Sequence, residues 1–351
     1  MRQRARTTIH PRWPRFPIIL AVSLWIGGLA QASTFDVAAG SAVQAAIDAA
    51  ADGDTVSVGP GTFVENIDFL GKAITVVGAG PQTVLQGTGV GSVVTFSAGE
   101  SLDSVLAALT ITGGSAERGG GIVIVDSSPT IVRTVITDNR AMRQGSGVYI
   151  EGEASPRLYN NLITYNGFSG GSGDPHAVDI VRAAPRLVNN TIVRGDSNGI
   201  NVQPGAAPTI MNNVIALNGS VVNGAPRGRG ICDFSTRAVI RNNAFYKNRV
   251  SAILRNGTDW RKIRKLQRRV EDALLGGNVD GNPGFIRRPR PQVNKARVRH
   301  FELRKRARGT GRGNPETRCN NTDGTRNTIG FTGGPFAGDA VTIPDAGSCG
   351  G

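Results

Sequence analysis

The stretch PRLYNNLITYNG at residues 156–167 returns as PRLVNNTIV at 185–193 and as PTIMNNVIALNG at 208–219. Aligned on the proline or its equivalent, rows begin at Pro129, Pro156, Pro185, Pro208 and Ala238, with spacings of 27, 29, 23 and 30 residues. Spacings in this range mark a stacked repeat. Each row carries three short apolar pieces that alternate with period two, as strands do. The longest piece closes the row: GIVIV at 121–125, GVYIE at 147–151, AVDIV at 177–181, GINVQ at 199–203 and GICDF at 230–234. Strands this short cannot support an ordinary sheet alone. Three per row, each paired with its copy in the next row, make an all-β fold: a right-handed parallel β-helix.

That frame predicts inward columns. Ile131, Leu158, Leu187, Ile210 and Ile240 form one. Ile136, Ile163, Ile192, Ile215 and Phe245 form a second, and Ile124, Ile150, Ile180 and Val202 a third. It also accounts for the paired asparagines. One member of each pair sits in the bend, because Asn tolerates the left-handed conformation. Asn161, Asn190, Asn213 and Asn243 then stack into a ladder, each amide supplying a donor and an acceptor along the coil axis. Asn139, Asn166, Asn218 and Asn248 mark the next turn. A leucine-rich repeat has an overlapping period but needs regular Leu triplets, which are missing.

The ends read differently. Residues 1–32 combine five arginines, the apolar run IILAVSLWIGGL and an A-x-A site at Ala30-Gln31-Ala32, the pattern of a signal peptide. The expected location is therefore secreted or cell-surface, with no transmembrane segment after the leader. The β-helix is assigned to 33–255. Val43, Ala46, Ile47 and Ala50 lie at helical spacing and predict a helix plugging the open end of the coil. Residues 256–351 are assigned to a basic, helical and loop-rich C-terminal cap. There Trp260, Ile263, Leu266, Val270 and Leu274 share one helical face, with Thr258 or Asp259 as N-cap and Gly276 as terminator. Of three cysteines, Cys319 and Cys349 flank the tail and are the candidate disulfide, while Cys232 falls in a strand.

The whole chain of 351 residues has a formal net charge of +14. Residues 249–312 alone hold 19 Lys plus Arg against 5 acidic residues. Such a patch favours anionic partners, or is simply the solvated face of a cap. Only 5% of residues are aromatic, too few to stack bases, and a nucleic-acid partner is not expected.

Taken together, VQAAIDAAADGDTVSVGPGTFVENIDFLGKAITVVGAG at the start and GNVDGNPGF, HFELRKRARGTGRGN and DGTRNTIGFTGGP at the end resemble the secreted bacterial β-helix proteins of the pectin lyase-like superfamily. The resemblance is specific for fold and not for activity, since one fold hosts many functions. GTFVE at 61–65 is similar to the first motif of the pectin esterases, but their later motifs are absent, so Glu65 reads as a structural turn residue. The resemblance implies a saccharide groove along the longest strand of each coil. Its outward positions would be Val123, Tyr149, Asp179, Asn201 and Cys232, then Val125, Glu151, Val181, Gln203 and Phe234. Two readings stay open. One is a non-enzymatic protein binding an anionic polysaccharide with Tyr149, Asp174, His176, Asn201 and Gln203. The other is a polysaccharide lyase or glycoside hydrolase with Glu151, Asp179 and Arg182 as catalytic residues; a lyase could use Ca²⁺, no cofactor is firmly implied, and the metal is left open. Oligomeric state is left open.

Overall fold

The computed structural model describes residues 31–283, except 171, 172, 175, 223, 236 and 264–273. The leader, most of the helix expected from Trp260 to Leu274, most of the basic run, Cys319 and Cys349 lie outside these residues.

Three sheets, parallel except for the last strand of sheet C, run the length of the coil. Sheet A holds ten strands from Thr34–Val37 to Leu275–Gly276. Sheet B holds nine, from Gly61–Val64 to Val279–Asp280, and sheet C holds nine, from Ile67–Asp68 to Thr258–Trp260. With the three columns buried, the three registers match the expected stacking: Leu158 pairs with Leu187, Ile163 with Ile192, and Ile150 with Ile180. The strands of two to five residues are viable because each inward side chain packs on its copy in the neighbouring coil, which drives folding by apolar burial.

The turns between sheets A and B show what the asparagine pairs do. Asn160, Asn189, Asn212 and Asn242 take φ values of 54 to 57°, the left-handed bend. Their successors point inward. The Asn161 side chain donates through Nδ2 to Asn190 Oδ1 (3.0 Å) and Ile131 O (2.9 Å), and its backbone N–H also donates to Asn190 Oδ1 (3.0 Å). The pattern repeats from Asn190 to Asn213, Asn213 to Asn243 and Asn243 to Asn278. A second ladder links Asn139 to Asn166 and Asn218 to Asn248. It is interrupted at Gly195, which offers only its backbone N–H to Asn218 Oδ1 (3.0 Å).

Helix α1 (Val43–Ala49) buries Val43 and Ile47 against the first coil. A distant carboxylate satisfies its N-terminus: Glu65 accepts from Val43 N–H (2.8 Å) and Gln44 N–H (3.0 Å). Lys72 Nζ donates to the carbonyls of Ile47, Asp48 and Ala50 at the other end (2.7–2.8 Å). Anion at the N-terminus and cation at the C-terminus both complement the helix dipole. Glu65 therefore has a structural task in the motif that resembles an esterase's.

The C-terminal end departs from the sequence expectation at residues 258–260. These form an antiparallel strand against Ser251–Arg255, not a helix N-cap. The cause is Asn256-Gly257, both at positive φ (52° and 71°), the backbone of a tight hairpin turn. Coil-type pairing also resumes beyond it, where Leu275–Gly276 and Val279–Asp280 extend sheets A and B.

Candidate functional site

The outer face of sheet C has two columns, and they differ. The first runs Val123, Tyr149, Asp179, Asn201, Cys232 in register. Sequence places these residues on an open groove, and the structure corrects this. Tyr149 is 2% exposed, Asp179 0%, Asn201 2% and Cys232 1%. They leave the coil interior, and Val123 stays half-buried, but Tyr149, Asp179, Asn201 and Cys232 are covered, Tyr149 by the turn that precedes its strand. Gly145 shows how: φ is 59°, and a Cβ there would sit 2.7 Å from the Tyr149 Cβ. Only glycine lets backbone approach that closely. Part of the same roof is a three-stranded sheet D of Ser115–Arg118, Arg140–Gln144 and Gly167–Phe168.

Burial decides what Asp179 can do. Its Oδ2 accepts from Gly145 N–H (2.7 Å) and His176 N–H (3.3 Å), and its Oδ1 accepts from Asn201 Nδ2 (2.7 Å). A carboxylate satisfied by three protein donors and sealed from solvent is a structural acceptor. It does not stand free to receive a sugar proton or a cation.

The second column faces solvent. Val125, Glu151 and Val181 are in register. Gln203 and Phe234 continue the row through Gln203 N–H to Ile180 O and Phe234 N–H to Val202 O, both 2.9 Å. Phe234 is 53% exposed. Glu151 anchors a cationic cluster. Its Oε1 accepts from Arg182 NH2 (2.8 Å), and its Oε2 accepts from the Tyr149 hydroxyl (2.8 Å) with Arg118 NH1 at 3.5 Å. Arg118 also lies over the Tyr149 ring, 5.5 Å from its centroid. Two guanidiniums against one carboxylate leave one positive charge in excess. Arg182, with 65% of its side chain exposed, offers most of it to solvent. Burial, then the hydrogen bond to Glu151, push the Tyr149 phenol up to about 12, so it stays protonated at neutral pH and is no base.

Asp174 and His176 form a separate cluster. Ser197 Oγ donates to Asp174, which also pairs with Arg227 (2.8 Å). His176 Nδ1 lies 3.1 Å from Ser197 Oγ and 3.2 Å from Asn198 Nδ2. Asn198 Oδ1 accepts from Arg229 N–H (2.7 Å), which orients the amide and turns its NH₂ toward His176. Among the described residues no hydrogen bond or ion pair joins Asp174 or His176 to Glu151 or Arg182.

The expected residues therefore divide. Glu151, Arg182 and Gln203 share the open row. Tyr149 joins it through its hydroxyl alone. Asp179 and Asn201 lie beneath it, and Asp174 and His176 lie apart. Sequence reasoning missed Arg118, which belongs to sheet D and has no counterpart in the coil alignment. Among the described residues no three His, Cys, Asp or Glu side chains gather as a group that could hold a metal ion. No helix there is long and apolar enough to cross a membrane.

Residues 120–263 match the family described as "Right handed beta helix region". No curated protein matches the chain. Among solved structures, an alginate lyase from Paenibacillus sp. str. FPU-7 superposes with a TM-score of 0.47 at 20% identity, covering 63% of this chain and 80% of that one. The pectate lyase Pel9A superposes with a TM-score of 0.47 at 13% identity, covering 87% of this chain and 97% of that one. Likenesses this distant carry no activity across. The coil geometry and the family match together establish the fold: this chain is a right-handed parallel β-helix protein.

Proposed function

We propose that the protein is exported by its leader and binds an acidic polysaccharide along the outermost row of sheet C, without cleaving it. The observation that carries this reading is the contrast between the two columns. Val125, Glu151, Val181 and Gln203 are half-buried and Phe234 is exposed, and Arg118 and Arg182 give the row an excess positive charge beside Glu151. Asp179, the candidate catalytic carboxylate beside Glu151, is sealed and saturated.

The row suits a glycan chemically. Arg182 presents a planar donor fork to a uronate carboxylate. Gln203 supplies a neutral amide for hydroxyls, and Phe234 an apolar face for a sugar ring. Successive coils are separated by roughly 4.8 Å, so the step from Glu151 to Phe234 spans about 14 Å, the reach of a short oligosaccharide. A hydrolase needs two carboxylates flanking the scissile bond. In this row Glu151 stands alone and is already held by two arginines.

The test is affinity electrophoresis of the full chain in gels containing polygalacturonate, alginate or a neutral glucan, with release of unsaturated product followed by ultraviolet absorbance. Retardation by an acidic polymer, weakened in Arg182→Gln and without product, is the expected result. Steady product formation that disappears in Glu151→Gln would show the row to be a lyase site instead.

A further inference from the structure

The basic run that begins near residue 249 is not used by the row on sheet C. Its first residues help line a cleft at the far end of the coil, where the strand Ala244–Tyr246 of sheet B turns into Ser251–Arg255 of sheet C. The cleft has a volume of about 340 Å³ and is lined by residues including Tyr246, Lys247, Arg249, Ser251, Arg261 and Asp280. It opens at the starts of the sheet C strands, whereas Glu151, Gln203 and Phe234 stand at their ends.

Its charge is one-sided. Lys247, Arg249 and Arg261 are exposed, and among the described residues none of them is paired with a carboxylate. Lys247 Nζ lies 5.4 Å from the centroid of the Tyr246 ring, a contact that leaves its donors available. The acid in the lining, Asp280, is engaged through Oδ2 by Ile263 N–H (2.6 Å). Nearby, Asp259 is fully occupied: Arg229 holds both of its oxygens (2.6 and 2.8 Å), and Ser251 Oγ donates to Oδ1 (2.7 Å). The three cations therefore line one concavity and outnumber Asp280, the one carboxylate in its lining. A concave site of this size takes a small ligand or one or two units of a polymer. Two guanidiniums and an ammonium match an oxyanion's geometry.

We propose that this cleft is a second anion-binding site, receiving an oxyanion-bearing sugar unit, carboxylated or sulfated, through Lys247, Arg249 and Arg261. It would let one protein hold an acidic glycan at two separate places, or tether two chains. Binding at two places raises avidity with no new contact at either.

The experiment is titration calorimetry of the full chain with a heparin oligosaccharide and, separately, an oligogalacturonate, so that sulfate and carboxylate are distinguished. Three proteins are compared with wild type: Lys247→Gln/Arg249→Gln/Arg261→Gln, a charge-matched control Arg140→Gln/Arg143→Gln/Arg157→Gln, and Arg118→Gln/Arg182→Gln for the row on sheet C. The proposal expects the cleft variant to lose affinity for at least one probe by about tenfold or more, as removal of two or more charge-assisted contacts would. The charge-matched control should lose far less, and the Arg118/Arg182 variant should retain a cleft-dependent component. Equal losses in the cleft variant and the charge control would reduce the effect to net charge and overturn the proposal. So would undiminished binding by the cleft variant, or no binding of either probe by wild type. A null result for Arg118→Gln/Arg182→Gln alone would instead count against the sheet C reading.

Discussion

Arg255 donates to Asp233 across 2.7 Å inside the coil, in the same inward column that Ile124, Ile150, Ile180 and Val202 fill in earlier coils. The pair occupies two adjacent coils, and both side chains are almost wholly buried. Ser235 N–H and Oγ also hold Asp233 Oδ1 (3.0 and 2.8 Å), and Arg255 reaches Ala238 O (3.0 Å). Arg255→Met leaves Asp233 charged and buried with one partner fewer, and is expected to cost about 3–5 kcal/mol. Asp233→Val combined with Arg255→Leu should recover most of that loss. Urea denaturation of the single and double variants measures both; a single variant as stable as wild type would show the pair to be energetically idle.

The asparagine ladder makes a comparable demand. Asn190 donates to Leu158 O (2.8 Å) and Asn213 Oδ1 (3.0 Å), and accepts from Asn161. Asn190→Ala removes these bonds and strands buried donors and acceptors in both neighbouring coils, at an expected cost of about 2–4 kcal/mol. Thermal unfolding checks it. An unchanged midpoint would mean that water fills the gap at little cost.

Acid should release the terminal hairpin. The bond from Arg229 holds the Asp259 carboxyl below its ordinary value, against the opposing effect of burial. A depressed folded-state pKa stabilises above the unfolded value and is lost as pH falls through the folded one. Protection factors for amide exchange over residues 251–260, corrected for the intrinsic rate, should therefore stay high at neutral pH and fall as pH drops below the usual carboxylate range. Arg229→Met should show the fall in protection at higher pH. If both proteins lose protection at the same pH, the bond does not control the hairpin.

Cys232 should be inert in the native state. Burial is the first cause that pushes its thiol up to about 12, outweighing the opposing influence of Arg229, and thiolate is the reactive form. Brief alkylation at mildly alkaline pH, followed by peptide mass spectrometry, should leave Cys232 unmodified until denaturant is added. Rapid native labelling would show that the roof over the column opens.

Much of this protein is legible along the chain because its determinants recur at the coil period. Every row repeats its apolar pieces, and stacking like on like needs only that repetition. The ladder was legible for the same reason: Asn161, Asn190, Asn213 and Asn243 occupy one position in each row. The hairpin at Asn256-Gly257 is also written locally, beside the competing helical spacing of Trp260 and Ile263.

The site was legible only in part. Period two says that Tyr149, Asp179 and Asn201 leave the interior, and they do. It cannot say whether outward means solvent. That depends on Gly145 and its like folding a turn over the strand, and on Arg118 arriving from another coil, both of which are contacts between residues distant in sequence. The sequence by itself determined the coil, its columns and its ladders, because these are periodic. Only the tertiary structure decided that one outward column is sealed from Tyr149 to Cys232 while the next stays partly exposed, because burial is set by which backbone closes over a side chain and not by the side chain's own register.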